Sequence, residues 1–253
     1  MPKEINAITR PPAVLAALEI PRAGFEGLSL VWSSPMLAAA PRGDGHGVLV
    51  LPGFAANDQS TALLRSFLQA LGYDVHPWRL GWNLDHRTVG SRGERVTRQI
   101  DKIAAATGRK VSLVGWSLGG VIAREAARRI PQNVRQVITI GSPFCGNPHA
   151  NNVAQIYEWL SGMRVDSPAA LRRVAQGPLP LPLPSSALYS KTDGITAWEN
   201  CVAIPDHQTE NIEVHSSHFG MIVNPDVFCI VADRLAQPED SWSPFARDQN
   251  TSL

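Results

Sequence analysis

The chain has 253 residues, of which 44% are hydrophobic and 18% charged, enough apolar material for one large core and too much for a disordered chain. Lys and Arg number 23 against 22 Asp and Glu, a formal net charge of +1, so no field of one sign draws the protein to nucleic acid or to an anionic membrane. That balance points to a small, weakly charged substrate. The three cysteines, Cys145, Cys201 and Cys229, are odd in number and match no zinc or disulfide spacing, so they read as buried or idle thiols.

Residues 1–46 read as an irregular or partly helical lead-in, with a short helix over 13–19 and the turn-rich segment APRGDGHG. The opening MPKEINAITRPPAVLAALEIPR lacks the long apolar run of a secretory leader, and no later stretch reaches membrane-spanning length, so a reducing cytoplasm is the expected address. GVLVLPGF carries the first strong strand, a continuous apolar run over 48–51 that stops at Pro52-Gly53. STALLRSFLQALG is a helix from Ser60 to Gly72, with Leu63, Leu64, Phe67, Leu68 and Leu71 at helical spacing. A short strand follows over 73–78. GERVTRQIDKIAAATG is an amphipathic helix, KVSLVGW a buried strand, LGGVIAREAARRI a helix that Pro131 terminates, and VRQVITIGS another buried strand. Strands alternating with helices through short links predict a mostly parallel sheet with helices on both faces and ligands at the strands' carboxyl ends.

The alternation breaks over 144–186. FCGNPHANN is followed by the helix-like pieces VAQIYEWLSG and SPAALRRVAQG, then by PLPLPLPSS, whose four prolines exclude a central strand. The segment reads as a small helical cap on a stiff polyproline-like connector; a surface excursion without catalytic role remains the other reading. ALYSKTDG resumes the sheet, ENIEVHSS adds a last strand, and PDVFCIVADRLAQ closes the chain as a helix.

The chemistry-bearing motif is GWSLG, residues 115–119, set between a predicted buried strand and a predicted helix. A serine on such a turn sits in a strained backbone conformation with its hydroxyl exposed, and the flanking glycines leave room for the neighbouring chain. The helix that begins near Leu118 aims amide donors and its positive end at a developing oxyanion. Leu118 supplies one oxyanion amide, and Phe54, on the loop leaving the 48–51 strand, supplies the second.

A serine hydroxyl needs a base, and around a strand-turn-helix nucleophile the chain order is serine, acid, histidine. Of seven histidines, His218 lies just past the last strand in SSHFG, with His215 and His207 as competitors. Asp193 in SKTDG lies 76 residues after Ser117 and 25 before His218; Asp206 competes from a loop nearer the base. A metal pair from His215 and His218 lacks a third ligand at suitable spacing, so no metal is expected.

These motifs, PGF, GWSLGG, SKTDG and SSHFGM with the NP beyond it, resemble those of the α/β-hydrolase superfamily, most closely the small bacterial esterase and lipase-like hydrolases with a PGF oxyanion loop. The resemblance runs from Gly47 to Leu235. It implies a single α/β-hydrolase domain over 1–253 with the cap inserted at 144–186. It implies a Ser117–His218–Asp193 mechanism on a small-molecule ester, without metal or organic cofactor. The Pro-Gly-Phe loop departs from the His-Gly of many lipases.

Trp116, Phe144 and Phe219 are assigned to a substrate cleft, although each also reads as ordinary packing, as do Trp82, Tyr157, Trp159 and Trp198. Arg92, Arg95 and Arg98 recur every three residues and read as a solvated helix face. Two further functions fit the same motifs: an acyltransferase that passes the acyl group to an alcohol, and a catalytically silent binding protein on a hydrolase scaffold. The sequence sets neither acyl length nor oligomeric state.

Overall fold

The computed structural model describes residues 7–246; the first six residues of the region read above for a leader lie outside them. Elements in chain order are α1 (Ala13–Ala17), α2 (Glu19–Trp32), α3 (Ser34–Ala38), β1 (Gly47–Leu51), α4 (Ala62–Ala70), β2 (Asp74–Pro77), α5 (His86–Val89), α6 (Glu94–Thr107), β3 (Val111–Trp116), α7 (Leu118–Arg129), β4 (Val134–Ile140), α8 (Ala154–Ser161), α9 (Pro168–Gln176), β5 (Ser185–Tyr189), β6 (Thr209–Glu213) and α10 (Pro225–Ala236).

The six strands form one sheet in the order β2-β1-β3-β4-β5-β6, and every neighbouring pair is parallel. This is the α/β arrangement expected from the alternation of strands and helices. The central strands β1, β3 and β4 are buried along their whole length, which is why they read as unbroken apolar runs. Their side chains alternate between two cores. Val48, Val50, Val114, Ile138 and Ile140 meet Leu64 and Leu68 of α4 and Val227, Phe228 and Val231 of α10. Leu49, Leu51, Leu113 and Val137 meet Ile100 of α6 and Val121 and Ile122 of α7 on the other face.

The chain leaves β1 toward β2 on one side, then returns across β1 to place β3 on the other side. The loops after β1 and β3 therefore open side by side at the carboxyl edge, where such a reversal leaves a crevice. The lead-in is more helical than the pattern suggests. Pro21, Gly24 and Gly27 interrupt the propensity signal of α2, yet the element runs for 14 residues. Tertiary packing accounts for it, because Glu19, Arg22 and Glu26 on its inner side all bond to the loops that follow β5 and β6.

Candidate active site

β3 delivers Ser117 directly into α7, and the turn is sharp. Ser117 has φ +52° and ψ −124°, a backbone conformation that costs a residue with a side chain on the order of 1–3 kcal/mol. Its amide is anchored to the Ile140 carbonyl at 2.8 Å. The glycines on either side are required by space. A Cβ on Gly115 would drive into the backbone of Gly120, and one on Gly119 into the Leu51 carbonyl oxygen of β1.

The structure brings the three distant polar residues together. Ser117 Oγ donates to His218 Nε2 at 3.0 Å, and His218 Nδ1 donates to Asp193 Oδ2 at 2.6 Å. Asp193 Oδ1 accepts from the amides of Ile195 and Thr196, both at 2.8 Å, so the carboxylate cannot swing away from the ring. His218 and Asp193 are buried. Burial pulls the His218 pKa down, but the charge and hydrogen bond of Asp193, with the Glu19 carboxylate behind, outweigh it and hold the imidazole above its ordinary 6.5. The competing residues stand elsewhere. Asp206 is exposed and accepts from the Gln208 amide; His207 pairs weakly with Asp206 at 3.8 Å; His215 is exposed. Among the described residues no cluster of His, Cys, Asp or Glu could hold a metal ion.

Ser117 opens onto a cavity of about 120 Å³, which Phe54 and Leu118 also line. Its walls are mainly aliphatic, including Val121, Val153, Val165 and Val174, with Tyr157 and Arg173 at one side. Phe54 and Tyr157 meet there at a ring separation of 5.0 Å, one from the loop after β1 and one from α8. The segment expected as a cap over 144–186 ends earlier, because Ser185 and Ser186 open β5, and its residues 144–184, carrying α8 and α9, form much of the wall and cover of the cavity onto which Ser117 opens. Cys145 lies on the same wall, its thiol pushed up to about 12 by burial and hence unreactive at neutral pH.

Three residues assigned to the cleft by sequence do not line this cavity. Trp116 points to the opposite face of the sheet, donates Nε1–H to the His218 carbonyl at 3.1 Å and lies 5.8 Å from its ring. Phe219 packs edge-on to Trp116 and to His218. Phe144 is fully buried beneath the Arg124 guanidinium, 4.2 Å from its ring centre. Trp116 and Phe144 therefore sit within the core, and the partly buried Phe219 packs against it. Trp82 and Trp159 are exposed, and Trp198 stacks on Tyr189.

Several residues without a sequence signal complete the site. Asn83, wholly buried, donates Nδ2–H to Pro52 O at 2.8 Å, and its backbone exchanges hydrogen bonds with Ala55 and Ala56, so it holds the loop bearing Phe54. Glu19 accepts from the amides of Gly194, His218 and Phe219. Glu26 accepts from the amide and hydroxyl of Ser217, from the Ser216 hydroxyl and from Asn224. Arg173 of α9 ties the cover down through Asp85 and Glu125. A lone polar or charged residue in a helix or loop looks like solvent-facing sequence until its fold partners are known, which is why none of these stood out.

The arrangement has relatives. A stretch of 155 residues, 57% of this chain, is 34% identical to a triacylglycerol lipase of Burkholderia plantarii, of which it covers 43%. A longer alignment over 85% of this chain is 22% identical to a pimeloyl-[acyl-carrier protein] methyl ester esterase of Aliivibrio salmonicida, of which it covers 98%. In three dimensions, Aspergillus fumigatus lipase B superposes with a TM-score of 0.62 at 20% identity over 81% of this chain and 56% of that one, a likeness of fold. The match to the first lipase thus spans less than half its length. The model of one family, described as palmitoyl protein thioesterase, matches residues 47–179, which hold β1, the nucleophile turn and most of the cover. With 133 of its 253 residues so matched, and an α/β-hydrolase fold around them, the chain belongs to the palmitoyl protein thioesterase family.

Proposed function

We propose that the protein is a serine hydrolase that cleaves carboxylic esters through an acyl-enzyme on Ser117. The observation that carries this reading is the continuous relay from Asp193 through His218 to Ser117, with hydrogen bonds of 2.6 and 3.0 Å, at the mouth of an apolar cavity. The lipase and esterase relatives support it.

In the first half-reaction the Ser117 hydroxyl attacks the ester carbonyl as its proton passes to His218 Nε2. Asp193 keeps the other ring proton on Nδ1 and stabilises the imidazolium. The amides of Phe54 and Leu118 stabilise the oxyanion; the latter lies at the free amide end of α7. His218 then protonates the departing alcohol. In the second half-reaction it deprotonates water, which attacks the acyl carbonyl and releases the acid.

The cavity is small, about 120 Å³, and its walls are mainly aliphatic, which favours a short acyl chain over a long one. p-Nitrophenyl esters from acetate to palmitate test both points. Turnover is expected to be highest for the short esters and to vanish in Ser117→Ala, along with labelling by a fluorophosphonate. Full turnover in Ser117→Ala refutes the assignment of the nucleophile, and a maximum at palmitate refutes the size argument.

A further inference from the structure

We infer that Glu19, on the N-terminal helix α2, is a positioning residue that clamps the acid and base loops together and sets a second carboxylate behind the catalytic imidazole. The inference rests on the reading of Ser117 and His218 given above. It concerns a residue outside the 47–179 stretch that the family model matches.

Glu19 is 1% exposed. Its Oε1 accepts from the Gly194 amide at 2.7 Å and from the His218 amide at 3.0 Å, and its Oε2 accepts from the Phe219 amide at 3.0 Å. One carboxylate thus joins the residue that follows the acid to the base itself and to the residue that follows the base. Besides the Asp193–His218 bond, the two loops meet through hydroxyls, with Ser190 Oγ donating to the Ser216 carbonyl at 2.7 Å. The same inner side of α2 repeats the pattern a turn further on. Arg22 donates to Thr192 in the acid loop, and Glu26 accepts from Ser217 in the base loop.

Burying a carboxylate is costly unless it is paired or fully hydrogen-bonded. Among the described residues Glu19 has no ion-pair partner, and its neighbours are N–H donors, the surroundings of an ionised group. In the proposed reaction His218 acquires a positive charge when it takes the Ser117 proton, and Glu19 is one of the two carboxylates whose charge acts on that ring. A fixed negative charge behind that ring stabilises the imidazolium more than the neutral imidazole, and the ring is neutral before attack. The charged groups around His218 are Asp193 on the acid loop and Glu19 on α2, with Arg22 and Glu26 one step out. The helix therefore does two things: it holds the Asp193–His218 distance and it raises the basicity of the ring.

The two roles separate by experiment. The His218 ring is titrated by NMR in wild type, Glu19→Gln and Glu26→Gln, and the pH profile of kcat/KM is recorded with p-nitrophenyl butanoate. In Glu19→Gln the His218 midpoint and the acid limb of the profile are expected to move to lower pH, while plateau kcat falls about tenfold and KM stays within twofold. Glu26→Gln, which loosens the base loop without removing the charge behind the ring, is expected to lower the melting temperature and leave the limb in place. Glu19→Asp keeps the charge on a shorter arm. It should keep the His218 midpoint above 6.5 with a lowered kcat, and it decides the matter if the glutamine variant does not fold. A folded Glu19→Gln with a wild-type His218 midpoint overturns the inference, as does a Glu19→Asp midpoint at or below 6.5. The NMR arm needs no turnover, so a wild-type protein without esterase activity refutes the function while leaving Glu19 testable.

Discussion

Replacing Arg173 by methionine removes the guanidinium that ion-pairs the cover beside Ser117 to the body of the fold, while Arg87, Arg124 and Arg128 reach the same segment through its backbone carbonyls. Arg173 Nη1 and Nη2 donate to Asp85 at 2.7 and 3.2 Å, and its Nε donates to Glu125 at 2.5 Å. Asp85 is completely buried and sits at φ +56°, held also by the Tyr157 hydroxyl from α8. Burial alone would raise the Asp85 pKa, but the charge and hydrogen bonds of Arg173, with that of Tyr157, outweigh it and hold the carboxyl below its ordinary 3.8. Removing one partner of such a buried pair leaves the other charge uncompensated, at about 3–5 kcal/mol. For a domain of this size each kcal/mol shifts the melting temperature by about 2–4 °C, so a fall of about 6–20 °C is expected in calorimetry at pH 7. The double variant Asp85→Asn/Arg173→Met removes both charges and should recover most of that loss. The carboxyl's folded pKa is depressed, so its contribution is present above the unfolded value and lost as pH falls through the folded one. In Arg173→Met the same buried carboxyl loses the guanidinium that held its pKa down and titrates above its ordinary value, so the gap between wild type and variant should be largest at neutral pH and above and should narrow as pH falls through the acid range. Limited proteolysis should cut the variant first within 144–184. A melting temperature within 2 °C of wild type, with unchanged proteolysis, would show that the ion pair does not hold the cover.

Two further outcomes follow from the site. In Asp193→Asn the side-chain amide can donate to His218 Nδ1, which strips Nε2 of its acceptor role; kcat should fall by about 10⁴ while the melting temperature stays within a few degrees, measured by burst kinetics and calorimetry. In Asn83→Ala the Pro52 carbonyl loses its partner at 2.8 Å, which costs about 1–3 kcal/mol and frees the loop that carries Phe54. kcat should drop by roughly 10–100-fold with KM nearly unchanged, and an equal loss in both would point to a binding role instead.

Much of the fold was legible because burial on two faces writes itself into the chain. GVLVL, VSLVGW and VRQVITI are unbroken apolar runs, and only strands sandwiched between helix layers need to be apolar at every position. GWSLG was legible because its glycines answer a local demand: the turn from β3 into α7 leaves no room for a Cβ. The expected chain order of serine, acid and base narrowed the candidates to Asp193 and His218, two residues that stand within hydrogen-bonding distance of each other and, through His218, of Ser117. α2 was not legible, since Pro21, Gly24 and Gly27 weaken its local signal while its hold on the fold comes from loops about 170–200 residues away. The aromatic residues assigned to a cleft lie off the cavity for a related reason. Trp116 is next to Ser117 in the chain, but neighbours on a strand point to opposite faces, and Trp116 packs against His218 instead of lining the cavity onto which Ser117 opens.

The sequence by itself determined the parallel sheet and the strained serine turn, because each is written in runs of residues close together in the chain. Only the tertiary structure decided which side chains wall the cavity, that Arg173 meets Asp85 and Glu125, and that Glu19 accepts from the amides of Gly194, His218 and Phe219. Those contacts join segments that share no local pattern, and a lone charged residue acquires its role from the partner that folding sets against it.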